Sequence, residues 1–290
     1  MTAGVLVIDK PAGMTSHDVV DEVRGRLRTK KVGHAGTLDP NATGLLIVGI
    51  GVATRFLTYA QHGPKKYRAT ARFGAATSTH DAWGEIVERK DCAGLDEARL
   101  KTALGQFTGD IEQVPPMVSA LKAKGERLYA KARRGEEVER AARAVTVHEL
   151  NLVALRIAAD PPEADLEVVC SGGTYVRTLI HDLGHALDCG AHMSALRRME
   201  TGGFTEADAV ALDDVSPDAL RPLVDAVREL RRVVLDDDDA ALVSHGRPLP
   251  VRDESIADGE PVALTSGDRL VAVYGRAGDR LIADRVVGSA

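Results

Sequence analysis

The chain has 290 residues, enough for one large or two moderate domains with proper cores, and its 44% hydrophobic and 28% charged content is that of a folding globular protein rather than a disordered one. Its formal charge of −6, taken as an average, argues against a generally basic nucleic-acid binder. The average conceals a split, because residues 1–150 carry 23 basic and 18 acidic side chains while residues 151–290 carry 14 and 25. No apolar run approaches the roughly 18 residues that span a bilayer, and the start of the chain, which meets Asp9 and Lys10 after a short apolar run, has no basic n-region of a signal peptide. Cys92, Cys170 and Cys189 are odd in number and lack CxxC spacing, so neither a disulfide framework nor a zinc-thiolate site is expected. Together these features predict a cytoplasmic protein with no membrane segment.

In chain order, Gly4 to Ile8 reads as a short apolar strand, and Thr15 to Asp18 offers capping residues for a helix over Val19 to Leu27. The helix runs into five basic residues in the eight of 24–31, either a solvated helix end or a phosphate-facing patch. Residues 33–44, rich in glycine and proline, read as a loop. Tyr67 to Phe73 alternates Tyr67, Ala69, Ala71 and Phe73 against Arg68, Thr70 and Arg72, a strand with one basic face. Asp96 can cap a helix carrying Leu100, Ala103, Leu104 and Phe107 at helical spacing. Residues 115–143, with eight basic and four acidic side chains, read as an exposed excursion. Leu166 to Cys170 predicts a strand and Thr178 to Leu187 a helix, and the acidic stretch 206–239 predicts a boundary. Beyond it, 269–274 and 280–287 flank a turn, the signature of a β-hairpin in a small β tail.

Few constellations could carry chemistry. The loop around Asp39 lacks both a Gly-Lys-Ser/Thr ending and GxGxxG, so both nucleotide fingerprints fail. A lone carboxylate remains, Asp39, in a loop whose glycines allow close approach of a ligand, although an Asp-Pro there is also an ordinary turn former. His181 and His185 imitate HExxH with Asp182 in place of Glu, which raises a zinc hydrolase as a rival. On a helical wheel, however, Leu179, Ile180, Leu183, Ala186 and Leu187 share one arc, and His181, His185 and Asp188 fall opposite as a polar outer face. There is no GxSxG, and Ser16-His17-Asp18 cannot form a triad because neighbouring side chains diverge. Tyr175 and Arg177 stand at a strand-to-helix turn, where Arg177 is either a surface residue or a partner that keeps a loop carboxylate ionised.

Six blocks then carry a resemblance: DKPAGMTSHDVV (9–20), KVGHAGTLDPNATGLLIVGIGVATR (31–55), KKYRA (65–69), QVPPMVSALKAKGERLYAKARRG (113–135), SGGTYVRTLIHDLG (171–184) and GAHMSALRR (190–198). In order and over residues 4 to about 200, they closely resemble the TruB family of tRNA pseudouridine synthases. The resemblance implies an α/β (α+β) catalytic domain over 1–225, with a mixed or antiparallel sheet flanked by helices and an RNA-binding excursion at 115–143. It also implies a small PUA-like β-barrel over 226–290. The implied reaction is isomerisation of the T-loop uridine conventionally numbered 55 to pseudouridine, with Asp39 as nucleophile, Tyr67 stacking on the base and available for proton removal, and Arg177 pairing with the aspartate. Tyr175 is implied as an aromatic wall, His34 and Leu196 as contacts to the RNA or flipped base, and Lys10 with Pro11 as the motif supporting the pocket. The implied partner is the tRNA T stem-loop, the implied state a monomer, and no cofactor or metal is called for. The basic clusters at 24–31, 65–72 and 122–143 are then the expected phosphate contacts.

Overall fold

The structure, a computed structural model, describes residues 3–117, 122–123, 126–127, 138 and 140–288. The first half runs β1 (Gly4–Lys10), α1 (Ser16–Arg26), β2 (Val32–Ala35), β3 (Thr43–Ile50), β4 (Lys65–Phe73), β5 (Ala75–Thr77), β6 (Ile86–Arg89), α2 (Glu97–Gln106) and β7 (Gly109–Gln113). Then follow β8 (Lys122–Ala123), β9 (Glu126–Arg127), β10 (Arg143–Arg156), β11 (Glu163–Cys170), α3 (Val176–Ala186), β12 (Ala191–Thr201), β13 (Phe204–Thr205) and β14 (Val210–Ala211). The chain ends with β15 (Arg231–Val234), α4 (Asp237–Ser244), β16 (Leu249–Pro250), β17 (Pro261–Ser266), β18 (Arg269–Ala277) and β19 (Arg280–Val286). No helix among the described residues is long and apolar enough to cross a membrane. The contacts divide the chain into two compact units, Met1–Pro40 with Leu45–His62 and Gly202–Ala290, and Asn41–Gly44 with Gly63–Thr201.

In the first unit β1 lies between β14, its parallel partner at Ile8↔Val210, and β3, with β2 antiparallel on β3. Both faces of this sheet are covered. Leu6, Ile8, Leu46, Val48 and Ile50 pack with Val19, Val20 and Val23 of α1, while Val5, Val7, Leu45 and Ile47 pack with Phe56 and Phe204. That is why the sequence of β3 is a continuous apolar run rather than an alternating one. Thr15 caps α1 in a full capping box with Asp18, so the helix begins at Ser16, three residues before its first apolar side chain. The stretch read from sequence as a 33–44 loop is shorter, because Gly33, His34 and Ala35 pair with Gly49, Val48 and Ile47. Two small residues around one histidine give too brief a pattern to announce a strand.

The same unit holds a five-stranded sheet in the order β15-β17-β18-β19-β16, with the expected hairpin at β18 and β19. Val262, Leu264, Ala272, Tyr274 and Leu281 form its core with Val243 of α4. The acidic run read as a boundary is in part a helix start, where Asp236 caps α4 by accepting from the Asp239 N–H at 2.8 Å and carboxylates occupy the first turn, favourable to the helix dipole. The order is open at β15 and β16 among the described residues, so what is seen of the expected barrel is this sheet.

The second unit is built on β12-β4-β11-β10-β7, antiparallel throughout, with Thr43 and Gly44 adding a parallel segment against Arg197 and Arg198. The sheet is therefore mixed. Along β4 the side chains alternate as expected, with Tyr67, Ala69, Ala71 and Phe73 buried. Gly44, at φ 95°, is a glycine because a Cβ there would overlap the Arg198 carbonyl oxygen. This close approach is made by a neighbouring strand, not by a ligand. Helices α2 and α3 bury Leu100, Leu104, Leu179, Ile180 and Leu183. Most of the expected 115–143 excursion lies outside the described residues, within which β8 and β9 pair antiparallel.

Candidate active site

Asp39 sits half-buried in the loop between β2 and β3. Its backbone is fastened on both sides. Lys10 at the end of β1 is fully buried, and its ammonium donates to the carbonyls of Pro11 at 2.8 Å, Met14 at 2.7 Å and Pro40 at 2.9 Å. Ser16, the first residue of α1, receives the Leu38 N–H at 2.9 Å and returns its hydroxyl to the Leu38 carbonyl at 3.2 Å. The Gly13 N–H reaches the Pro40 carbonyl at 3.0 Å. One residue on each side of Asp39 is thus pinned to the β1–α1 connection, so the DKPAGMTS and TLDP stretches are held together. His34, half-buried on β2, leads into this loop.

In the second unit Tyr67 is buried on β4, opposite Val168 on one side and Arg198 on the other. Leu196 faces Ala69 from β12, and its carbonyl accepts from Thr43 Oγ1 at 3.4 Å. Tyr175 is the N-cap residue of α3, its backbone held at both ends by the buried Gln113 side chain, which accepts the Tyr175 N–H at 2.7 Å and donates to its carbonyl at 3.1 Å. Arg177 follows in the first turn of α3, 3% exposed, with its guanidinium carbon 5.8 Å from the Tyr175 ring centroid. A surface arginine is thereby excluded.

Sequence reasoning missed the carboxylate that meets Arg177 inside this unit. Asp81 is 8% exposed, and its Oδ2 lies 3.3 Å from Arg177 Nη1. Its Oδ1 accepts from Thr79 Oγ1 at 2.6 Å and from the Trp83 N–H at 3.1 Å. These bonds fix the direction of the carboxylate. A signal existed in the string THDAWG, since an Asp that accepts from the backbone two residues on, before a glycine, is a turn signature. Nothing local indicated its partner, 96 residues away.

The reading of His181 as part of a polar outer face does not hold. His185 and Asp188 are exposed, but His181 is half-buried, its ring stacked on that of His80. Parallel stacked rings do not direct two nitrogens at one ion, and among the described residues no group of three or more His, Cys, Asp or Glu side chains could hold a metal. Beside it, burial raises the Asp182 carboxyl to about 6. The basic face expected on β4 is largely matched by carboxylates of β11. Lys66 pairs with Glu167 at 3.0 Å, Arg72 with Glu163 at 2.8 Å, and Arg156 of β10 spans Glu163 and Asp165. At 24–31, Arg24 and Arg26 are paired with Asp21, Glu22 and Asp213. Arg28, Lys30 and Lys31 are exposed there without a carboxylate partner among the described residues.

Residues 24–176 match the family model described as TruB family pseudouridylate synthase (N terminal domain), and residues 177–242 match the tRNA pseudouridylate synthase B C-terminal domain. The chain is 47% identical over 257 residues to tRNA pseudouridine synthase B of Thermobifida fusca, covering 86% of this chain and 87% of that one. It is 43% identical over 281 residues to that of Corynebacterium glutamicum strain R, covering 96% and 94%. Among solved structures it is similar to a chain of a Cbf5–Nop10–Gar1 complex, with TM-score 0.77 and 28% identity over 99% of this chain and 85% of that one. A chain of an H/ACA RNP bound to a substrate RNA containing 2′-deoxyuridine gives 0.75 and 26%, over 99% and 85%. The chain belongs to the TruB family of pseudouridylate synthases.

Proposed function

We propose that this protein isomerises the T-loop uridine of tRNA conventionally numbered 55 to pseudouridine. The reaction breaks the N1–C1′ bond, turns the uracil while it is held, joins C5 to C1′ and releases the C5 proton. The target base is flipped out of its stack at a cost of a few kcal/mol, offset by stacking on Tyr67 worth roughly 1–3 kcal/mol. Asp39 is the nucleophile, a carboxylate able to form and release a covalent adduct. Arg177 is its ion-pair partner, keeping it charged in a poorly hydrated pocket. Tyr175 is the aromatic wall and His34 and Leu196 contact the RNA. Lys10, with no exposed surface, acts through the loop it grips and supports the substrate site from within the protein.

The observation that carries this reading is the double fastening of the Asp39 loop by Lys10 and Ser16 in a chain of this family, because a nucleophile must be held in place before the base arrives. We further propose that residues 1–225 form the catalytic part, that 115–143 binds the RNA, and that 226–290, with their five-stranded sheet, act as a PUA-like RNA-binding domain. The protein works as a monomer in the cytoplasm, where its substrate is, without cofactor or metal. Tritium release from 5-tritiated uridine in a T-loop minihelix tests the assignment. Wild-type protein releases tritium and folded Asp39→Asn releases none. Absence of release from wild type refutes the activity, and undiminished release by the variant refutes the nucleophile.

A further inference from the structure

Two histidines lie ring on ring beside the Asp81–Arg177 pair. The imidazoles of His80 and His181 stack with centroids 3.9 Å apart and planes within 4° of parallel. His80 Nδ1 also meets Thr178 Oγ1 at 3.3 Å. Its backbone is left-handed, at φ 64°, a conformation that a residue with a Cβ keeps only where its surroundings hold it. The His80 N–H donates to Thr77 O at 3.2 Å and its carbonyl accepts from the Met193 N–H at 3.0 Å. The next residue is Asp81. Two adjoining residues of one turn are therefore fastened to a single face of α3, His80 to Thr178 and His181 and Asp81 to Arg177.

We propose that the His80–His181 stack is a positioning element that aims the Asp81 carboxylate at Arg177, acting as two neutral rings rather than as acid, base or metal ligands. The inference rests on the reading of Arg177 as the partner of Asp39. The mechanism is geometric. Without a ring clamped against α3, the φ of His80 is free to relax to the common region, which swings the Cα–Cβ vector of the following residue, and a 3.3 Å ion-pair bond has little slack. Neutrality follows from the surroundings. His80 faces His181 and Arg177 of α3 and Arg140 before β10, and burial followed by these groups pushes its pKa down to about 3. His181 faces His185 on its own helix and Glu88 of β6, and burial lowers its pKa first of all. Its Nδ1 is buried with no hydrogen-bond partner among the described residues, so a proton added there finds no acceptor. A proton on His80 would set a second cation in competition with Arg177 for Asp81.

The test uses the full chain, the T-loop minihelix and tritium release between about pH 5.5 and 8.5. At pH 7.5 His181→Ala lowers kcat by about tenfold or more with KM within about twofold, the signature of a misplaced catalytic group rather than lost binding. It also creates an acid limb with a midpoint near pH 6.5, as a hydrated His80 regains its ordinary titration. His181→Phe, which restores a ring on the same face, recovers about half of kcat or more and lacks that limb. His80→Gly, which tolerates the backbone but has no ring, loses kcat without an acid limb. Wild-type kcat and pH profile in His181→Ala, or a His181→Phe as impaired as the alanine variant, overturns the proposal. Should wild type itself release no tritium, the functional reading fails and the stack is judged by NMR of the Arg177 guanidinium. A resonance that moves in His181→Ala supports the positioning role, and one that stays in place refutes it.

Discussion

Replacing Lys10 by Met keeps the length and bulk of the side chain and deletes the ammonium. Three carbonyls, at Pro11, Met14 and Pro40, lose donors now at 2.7–2.9 Å. Hydrogen bonds to a charged group contribute about 1.5–3 kcal/mol each, so the gross loss is about 4–9 kcal/mol. Pro11 and Pro40 are exposed residues whose carbonyls can recover water, and the variant no longer buries a charge. A net destabilisation of about 3 kcal/mol remains, which at roughly 2–4 °C per kcal/mol for a chain of this size lowers Tm by about 6–12 °C. Differential scanning calorimetry measures that shift. Because the Pro40 carbonyl adjoins Asp39, the loop also loses its aim, and a displacement of about 1 Å costs on the order of 100-fold in turnover. Lys10→Arg does not restore activity, since a planar fork cannot aim three donors at three carbonyls within the volume of an ammonium. A Lys10→Met protein with Tm within about 1 °C of wild type and normal tritium release would refute the reasoning.

Other perturbations address other parts of the structure. Gly44→Ala puts a Cβ against the Arg198 backbone, 2.8 Å from its nitrogen, at a φ of 95°. It destabilises by about 3 kcal/mol or more in urea titrations, and a neutral result would mean that Arg198 is not so close. Asp182 has a folded pKa of about 6 against an ordinary 3.8, so its contribution to stability is fully present below about pH 4 and is lost as pH rises through 6. Asp182→Asn therefore stabilises at pH 7.5 by about 1 kcal/mol, after allowance for solvent screening, and not at pH 4. An equal effect at both pH values contradicts this. Changing Arg28, Lys30 and Lys31 together to Gln lowers the slope of log affinity for RNA against log salt by about 2. An unchanged slope removes this patch from the RNA contacts.

Legibility in the sequence followed the range of the interactions. The alternation of β4 and the Thr15–Asp18 capping box are local, and both were readable, the helix start being misplaced only because the first apolar residue, Val19, comes a turn late. The hairpin of β18 and β19 was announced by its turn. What escaped was set by residues far apart. Arg177 meets Asp81 across 96 positions, and the Lys10 ammonium reaches Pro40 across 30. His181 looked solvent-facing on a wheel because a wheel shows one helix and not the turn carrying His80 that covers it. The basic face of β4 was legible and its neutralisation was not, because Glu163, Asp165 and Glu167 lie on a strand that becomes its neighbour only on folding. The family resemblance, rather than spacing, singled out Asp39 among the carboxylates.

The parallel pairing of β1 with β14 and the bonds between Val5 and Arg221 set an order of events during synthesis. The ribosome emits Val210–Ala211, the strand beside Gly4–Lys10, about 200 residues after it, some 10–40 s at 5–20 residues per second. Throughout that interval one edge of an apolar strand has no native neighbour. Gly63–Thr201, by contrast, emerges almost uninterrupted, so one unit can close while the other waits for Gly202 onward. A truncation that spares every residue up to Thr201 therefore leaves β1 with an open hydrophobic edge, and its first symptom is aggregation of the nascent protein rather than weakened grip on RNA.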